Sequence, residues 1–211
     1  MFRKEIKTTT HFRSNALVFS MKKQLIIGLV GPIASGKGFA TDKLVKLGFK
    51  KLSLSEEIRE ELKNSSNKTP DRKALQDLGD KMRSENGNDY WAKKVSEKIG
   101  DQQNYVIDSI RNPYEISFLK HSLNMFVLAV NCSEKTSLKR AIKRGRDIDI
   151  NIKNLKLIIE RDRGINQPKN GQQVEECISL SDIVIDNDGT LEEFEQKLDK
   201  LFIKLGIEKR I

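Results

Sequence analysis

Residues 25–44 read LIIGLVGPIASGKGFATDKL: a short apolar run, a glycine loop and the start of a helical pattern. Gly31, Gly36 and Lys37 stand at the spacing G-x-x-x-x-G-K, which cradles nucleotide phosphates where it joins a strand to a helix. The residue types suit that task. Glycines let backbone N–H groups turn inward and approach phosphate oxygens with no Cβ in the way. The helix that follows aims the positive end of its dipole at them, and Lys37 adds a mobile point charge. Gly31, Ala34, Ser35, Gly36, Lys37, Gly38 and Phe39 are the expected nucleotide-binding residues. The pattern normally continues with a Ser or Thr whose hydroxyl meets a magnesium ion; here Gly38 and Phe39 follow the lysine. A loop that binds nucleotide without turning it over is the alternative.

Beyond this stretch the chain alternates. Apolar, β-branched runs occur at 25–30, 49–54, 105–110, 125–131 and 183–186, with helical spacing between them. Short apolar strands separated by helices predict a five-stranded parallel sheet covered on both faces, with its site at the carboxyl ends of the strands. One helix is expected to open at Thr69–Pro70 and stop near Gly87. The last helix is expected to be capped by Asp188 or Thr190 and to end on Gly206. Its apolar residues Leu191, Phe194, Leu198, Leu201 and Phe202 form one face, expected against the sheet.

The 211 residues suit one domain, read here as a flexible extension over 1–22 and one unit over 23–211. No apolar run reaches the length of a membrane span. The net charge of +9 is concentrated: residues 1–23 and 139–163 each carry +5, and the remainder sums to −1. A tail and one local segment point to phosphate handling rather than a nucleic-acid footprint, and no nucleic-acid-reading motif accompanies them. Cys132 and Cys177 have no Cys or His partners at metal spacing, which argues for a reducing, cytoplasmic setting and against a zinc site.

The loop resembles that of adenylate kinase and its relatives, G-x-P-G-x-G-K-G-T, which also place glycine after the lysine. GPIASGKGF keeps Gly-Lys-Gly but has Phe39 where that family has Thr; Thr41 lies a turn further along. FKKLSLSEEIREEL, residues 49–62, is similar to the family's acceptor segment, and Ser53, Glu56 and Arg59 match its Ser, Asp and Arg. The arginine there holds the acceptor monophosphate, a job suited to a planar, permanently charged fork. NYVIDSIRNPYE, residues 104–115, resembles the D-G-x-P-R turn of these kinases. It is closer to the G-I-R-n-p-x-E turn of proteins like dephospho-coenzyme A kinase and phage deoxynucleotide kinases, with Ser109 where those have Gly. The resemblance implies Asp108 as a water-mediated magnesium or substrate ligand, with a structural cap at the strand end as the alternative, and Arg111 as an acceptor contact. Arg140 and Arg144, one turn apart, resemble the R-x-x-x-R that opens a kinase lid over about 140–170. Arg146, Arg161 and Arg163 complete the lid candidates, since phosphoryl transfer spreads charge that converging guanidiniums stabilise. Two or three of the five are expected to touch phosphate.

RDRGINQPKNGQQVEEC and LQDLGDKMRSENGNDYW are similar to the P-loop domain that precedes the zinc centre in deoxycytidylate deaminase-like proteins. The deaminase signature H-x-E with P-C-x-x-C finds no match at His11, His121, Cys132 or Cys177. Over residues 26–187 the chain thus resembles the P-loop nucleoside and deoxynucleoside monophosphate kinases. That family implies a three-layer αβα P-loop NTPase fold with a small helical lid, ATP and Mg2+ as cofactors, and nucleotides as small-molecule partners. It also implies transfer of the γ-phosphoryl group to a (deoxy)nucleoside monophosphate. The alternatives are a dephospho-coenzyme A kinase-like enzyme, whose hydroxyl acceptor would want a base, and an ATP- or dNTP-sensing module without catalysis. Gln172, Gln173 and Trp91 read equally as base contacts or as packing.

Overall fold

All five apolar runs become strands, four of them shortened at one or both ends. The computed structural model describes residues 24–65, 71–145 and 151–207. Its strands are β1 (Ile26–Val30), β2 (Lys50–Ser53), β3 (Tyr105–Asp108), β4 (Phe126–Asn131) and β5 (Ile183–Asp186). They pair in the order β2-β3-β1-β4-β5, every pair parallel. Ser53 stands level with Asp108 and Asn131 with Asp186, so the strands finish along a common carboxyl edge. The helices are α1 (Lys37–Lys46), α2 (Leu54–Ser65), α3 (Arg72–Asn86), α4 (Tyr90–Ser96), α5 (Pro113–Leu123), α6 (Glu134–Arg144), α7 (Ile152–Arg163), α8 (Val174–Ser179) and α9 (Leu191–Lys204).

Side-chain alternation along the strands feeds two cores. Ile27 and Leu29 of β1 point into a layer built by Ala40 and Leu44 of α1 with Phe194, Leu198, Leu201 and Phe202 of α9. Ile26 faces the opposite layer, where Trp91 and Val95 of α4 pack with Ile116 and Leu119 of α5. Trp91 is wholly buried and donates to the Gly79 carbonyl at 3.2 Å, so it is core. Leu191 departs from the expected face: it is 56% exposed, because the first residue of α9 lies ahead of the packed stripe. A third, small cluster joins Ile33 of the glycine loop to Ala141 of α6 and to Leu155 and Ile159 of α7.

Caps fix several helix starts. Thr190, rather than Asp188, caps α9 in a reciprocal box with Glu193; the Asp188 carboxylate instead accepts from the Ser133 backbone N–H and hydroxyl. Helix α3 starts at Arg72 behind Asp71, which accepts from Ala74 N at 2.7 Å. Thr69, Pro70, Arg146 and the 1–22 extension lie outside the described residues. No helix among the described residues is long and apolar enough to cross a membrane.

Candidate active site

The loop after β1 winds tightly. Gly31 has φ 140° and Gly36 φ 113°, and a Cβ at either would collide, with the Val130 carbonyl at 2.0 Å or the Asn187 amide at 2.4 Å. Ala34 also takes a left-handed φ of 58°. Asn187, just past β5, secures the loop from above by donating to the Ser35 carbonyl at 2.7 Å. Lys37 folds its ammonium back onto the carbonyls of Gly31 (2.6 Å) and Pro32 (2.8 Å). Burial, reinforced by the nearby Arg111 guanidinium, lowers its pKa to about 7, with Asp108 pulling the other way.

Phe39 has a packing role. Its ring lies half-buried against Phe194 of α9, centroids 5.8 Å apart, bridging the loop helix and the outer layer. The Thr41 hydroxyl donates to the Lys37 carbonyl at 3.0 Å and is buried there, which keeps it off the phosphate side. Phe39→Thr should therefore lower unfolding stability by about 2 kcal/mol, read by denaturant titration; an unchanged midpoint would contradict this packing role.

The acceptor candidates converge beside the loop. A cleft of about 500 Å³ is walled by the loop and by Ser53, Ser55, Glu56, Arg59, Arg72, Asp108, Ser109, Arg111, Arg140 and Arg144. Glu56 pairs with Lys51 at 2.7 Å. Arg59 is exposed at the cleft wall and has no hydrogen bond or ion pair among the described residues. Ser109 adopts φ 67°, which accounts for glycine at this place in the related turns. Its hydroxyl joins those of Ser53 and Ser55, at 3.4 and 3.2 Å. The R-N-P-x-E motif is a capping device. Asn112 caps α5, Pro113 is its first residue, and the buried Glu115 carboxylate accepts from the backbone N–H of both Arg111 (2.9 Å) and Asn112 (3.1 Å). The other Glu115 oxygen takes Arg83 Nε at 2.8 Å. The turn that aims Arg111 is thus rigid.

Of the five expected lid arginines, four lie among the described residues, and two of those face this cleft. Arg140 lines it while donating to the Asn187 carbonyl at 2.7 Å, and Arg144 lies beside it. Arg161 is turned away, bonded to Asp77 and Asp80 of α3 at 2.6 Å each. Arg163 pairs with Glu175 and donates to the Cys132 carbonyl at 2.7 Å. Both are on α7 but join it to the body of the protein: carboxylates hold the ends of both guanidiniums, with a main-chain carbonyl at Arg163.

The residue between them, Asp162, went unnoticed in the sequence. It is fully buried, ion-paired with Arg111, and accepts the Ile33 backbone N–H at 2.8 Å. Its signal was its place on the buried face of α7 with Leu155 and Ile159. Arg72 was also missed, as was Gln76, which donates to Gln172 at 3.0 Å and with it lines a cavity beside the acceptor arginines. Gln173 instead donates to the Pro168 carbonyl at 3.0 Å.

Nucleotide and magnesium fit these residues. Gly31 and Gly36 admit no Cβ, and the buried Ser35 hydroxyl has no protein partner, as suits a phosphate cradle. Magnesium needs one or two carboxylates besides phosphate and water; Asp108, at the strand end in the cleft, suits it. Among the described residues no group of three or more His, Cys, Asp or Glu side chains could hold a metal unaided.

Known proteins agree with this architecture. A family model described as an AAA domain matches residues 30–156. The UPF0200 protein of Thermoplasma volcanium is 34% identical over 170 residues, spanning 78% of this chain and 90% of its own. That of Thermoplasma acidophilum is 33% identical over 180 residues, spanning 82% and 96%. Among solved structures, TT1252 from Thermus thermophilus superposes with a TM-score of 0.54 at 19% identity, covering 87% of this chain and 99% of that one. Shikimate kinase from Acinetobacter baumannii in complex with shikimate gives 0.52 at 16%, covering 88% and 96%. At such identities the structures speak to the fold alone, which is the α/β P-loop kinase fold.

Proposed function

The chain belongs to the AAA-domain family and to the UPF0200 proteins, and from that starting point we propose that it is an ATP-dependent phosphotransferase acting on a (deoxy)nucleoside monophosphate. One observation carries the proposal: the phosphate loop and an arginine-lined acceptor wall share a single cleft, with Asp108 among its walls. A protein that only binds nucleotide has no use for the second wall.

Loop amides and Lys37 would hold the donor phosphates, Lys37 exchanging its two carbonyl partners for phosphate oxygens. Arg59 and Arg111, helped by the Ser53 hydroxyl and the Glu56 segment, would orient the acceptor. The acceptor is already an anion at neutral pH, so its oxygen can attack the γ-phosphorus without a general base. The β–γ bridging bond breaks and ADP leaves. Arg140 and Arg144 would draw in from the lid side to stabilise the equatorial charge and exclude water. A magnesium ion held through Asp108 and water would neutralise charge on the donor phosphates. Arg161 and Arg163, held by Asp77, Asp80 and Glu175, would anchor α7 rather than contact phosphate. The unit over 23–211, with residues about 140–170 as its lid, is the proposed functional body.

A second reading, a regulatory module that binds ATP or dNTP, draws support from Phe39, which supplies packing where related kinases have a hydroxyl. A coupled assay of ADP release with AMP, CMP, GMP, UMP and dTMP separates the two. The enzyme reading expects release that depends on one or more acceptors; tight nucleotide binding with no acceptor-dependent release would favour the module.

A further inference from the structure

Ile33 of the phosphate loop is held from three sides by the segment that follows the sheet's fourth strand. Its carbonyl accepts the buried Ser137 hydroxyl of α6 at 2.5 Å. Its side chain packs among Ala141, Leu155 and Ile159. Its N–H is taken by Asp162 of α7 at 2.8 Å, and the other oxygen of that carboxylate is ion-paired with Arg111. One desolvated carboxylate therefore touches both the donor loop and the acceptor arginine, 129 residues from the first. The Arg111 main chain is fixed independently by Glu115, so the freedom left to its guanidinium is what Asp162 restrains.

We propose that Asp162 is a positioning residue that couples the two substrate sites, so that donor and acceptor each bind more tightly when the other is present. The proposal rests on the phosphotransfer reading above. An acceptor phosphate at Arg111 draws the guanidinium's charge toward itself and frees the carboxylate to strengthen its bond to Ile33, which sets the loop for the donor. By linkage the donor must favour the acceptor by the same factor. No chain of intermediaries is needed, because the carboxylate contacts both partners directly.

The test is equilibrium binding by calorimetry, with a non-hydrolysable ATP analogue as donor probe and the tightest of AMP, CMP, GMP, UMP and dTMP as acceptor probe, each alone and with the other saturating. Wild type should show mutual tightening of at least about 5-fold. Asp162→Asn keeps an oxygen for Ile33 but loses the charge that holds Arg111. It should cut the coupling below about 2-fold, a ratio that general loosening of the fold would not select. Arg111→Gln should lose the coupling too and serves if Asp162→Asn does not fold. Independent binding in wild type, or undiminished coupling in either variant, overturns the inference. Failure of every probe to bind would instead defeat the phosphotransfer reading beneath it.

Discussion

Lys37→Met is expected to lower acceptor-dependent ADP release by about 10²–10³-fold, as loss of one preorganised donor to developing charge does elsewhere. The same substitution has a second signature without substrates. The folded empty protein holds the Lys37 proton less tightly than the unfolded chain, with a pKa of about 7 against the ordinary 10.5. The unfolded state thus binds more protons between those values, and stability rises with pH across that window. Lys37→Met should flatten that rise. Bound phosphates restore the charge, so nucleotide binding at pH 8 should take up protons, seen as a buffer-dependent calorimetric heat. Full activity in Lys37→Met, or no proton uptake, would contradict the role given to this side chain.

Asp162→Ala is expected to cost about 3–5 kcal/mol of unfolding free energy, because it strands a buried guanidinium and leaves the Ile33 N–H unpaired. Denaturant titration should show the midpoint falling with little change in slope. Asp162→Asn should cost less, since the N–H keeps an acceptor. The double variant Asp162→Leu with Arg111→Met should regain much of the loss, as replacing both members of a buried pair with apolar groups often does, yet bind acceptor poorly. A loss below about 1 kcal/mol in Asp162→Ala would mean that the pair is open to water.

Local chemistry made much of this readable from the chain. The strands announced themselves because parallel strands buried on both faces are continuous apolar runs. The phosphate loop did so because only glycine survives at Gly31 and Gly36. Ser109 in place of glycine looked like an oddity and proved to mark a left-handed backbone position. What stayed hidden depends on partners distant in the chain. Nothing near Arg161 reveals that Asp77 and Asp80, 84 and 81 residues earlier, would claim it before any phosphate could. Asp162 read as one charge in a basic run, although its helical phase puts it on the buried face. Phe39 looked like a lost hydroxyl until Phe194, from the other end of the chain, appeared beside it. Charge on a helix surface says little about direction; charge on a buried face says a great deal.

If the cleft passes a phosphoryl group from ATP to a phosphorylated acceptor, both products are nucleoside diphosphates. Phosphorus NMR of the protein with ATP, Mg2+ and the five monophosphates tests this transfer most directly. A nucleoside diphosphate resonance from an acceptor should grow in step with ADP, and should be absent in Lys37→Met. ADP appearing only with inorganic phosphate, or no change in the spectrum at all, would contradict it.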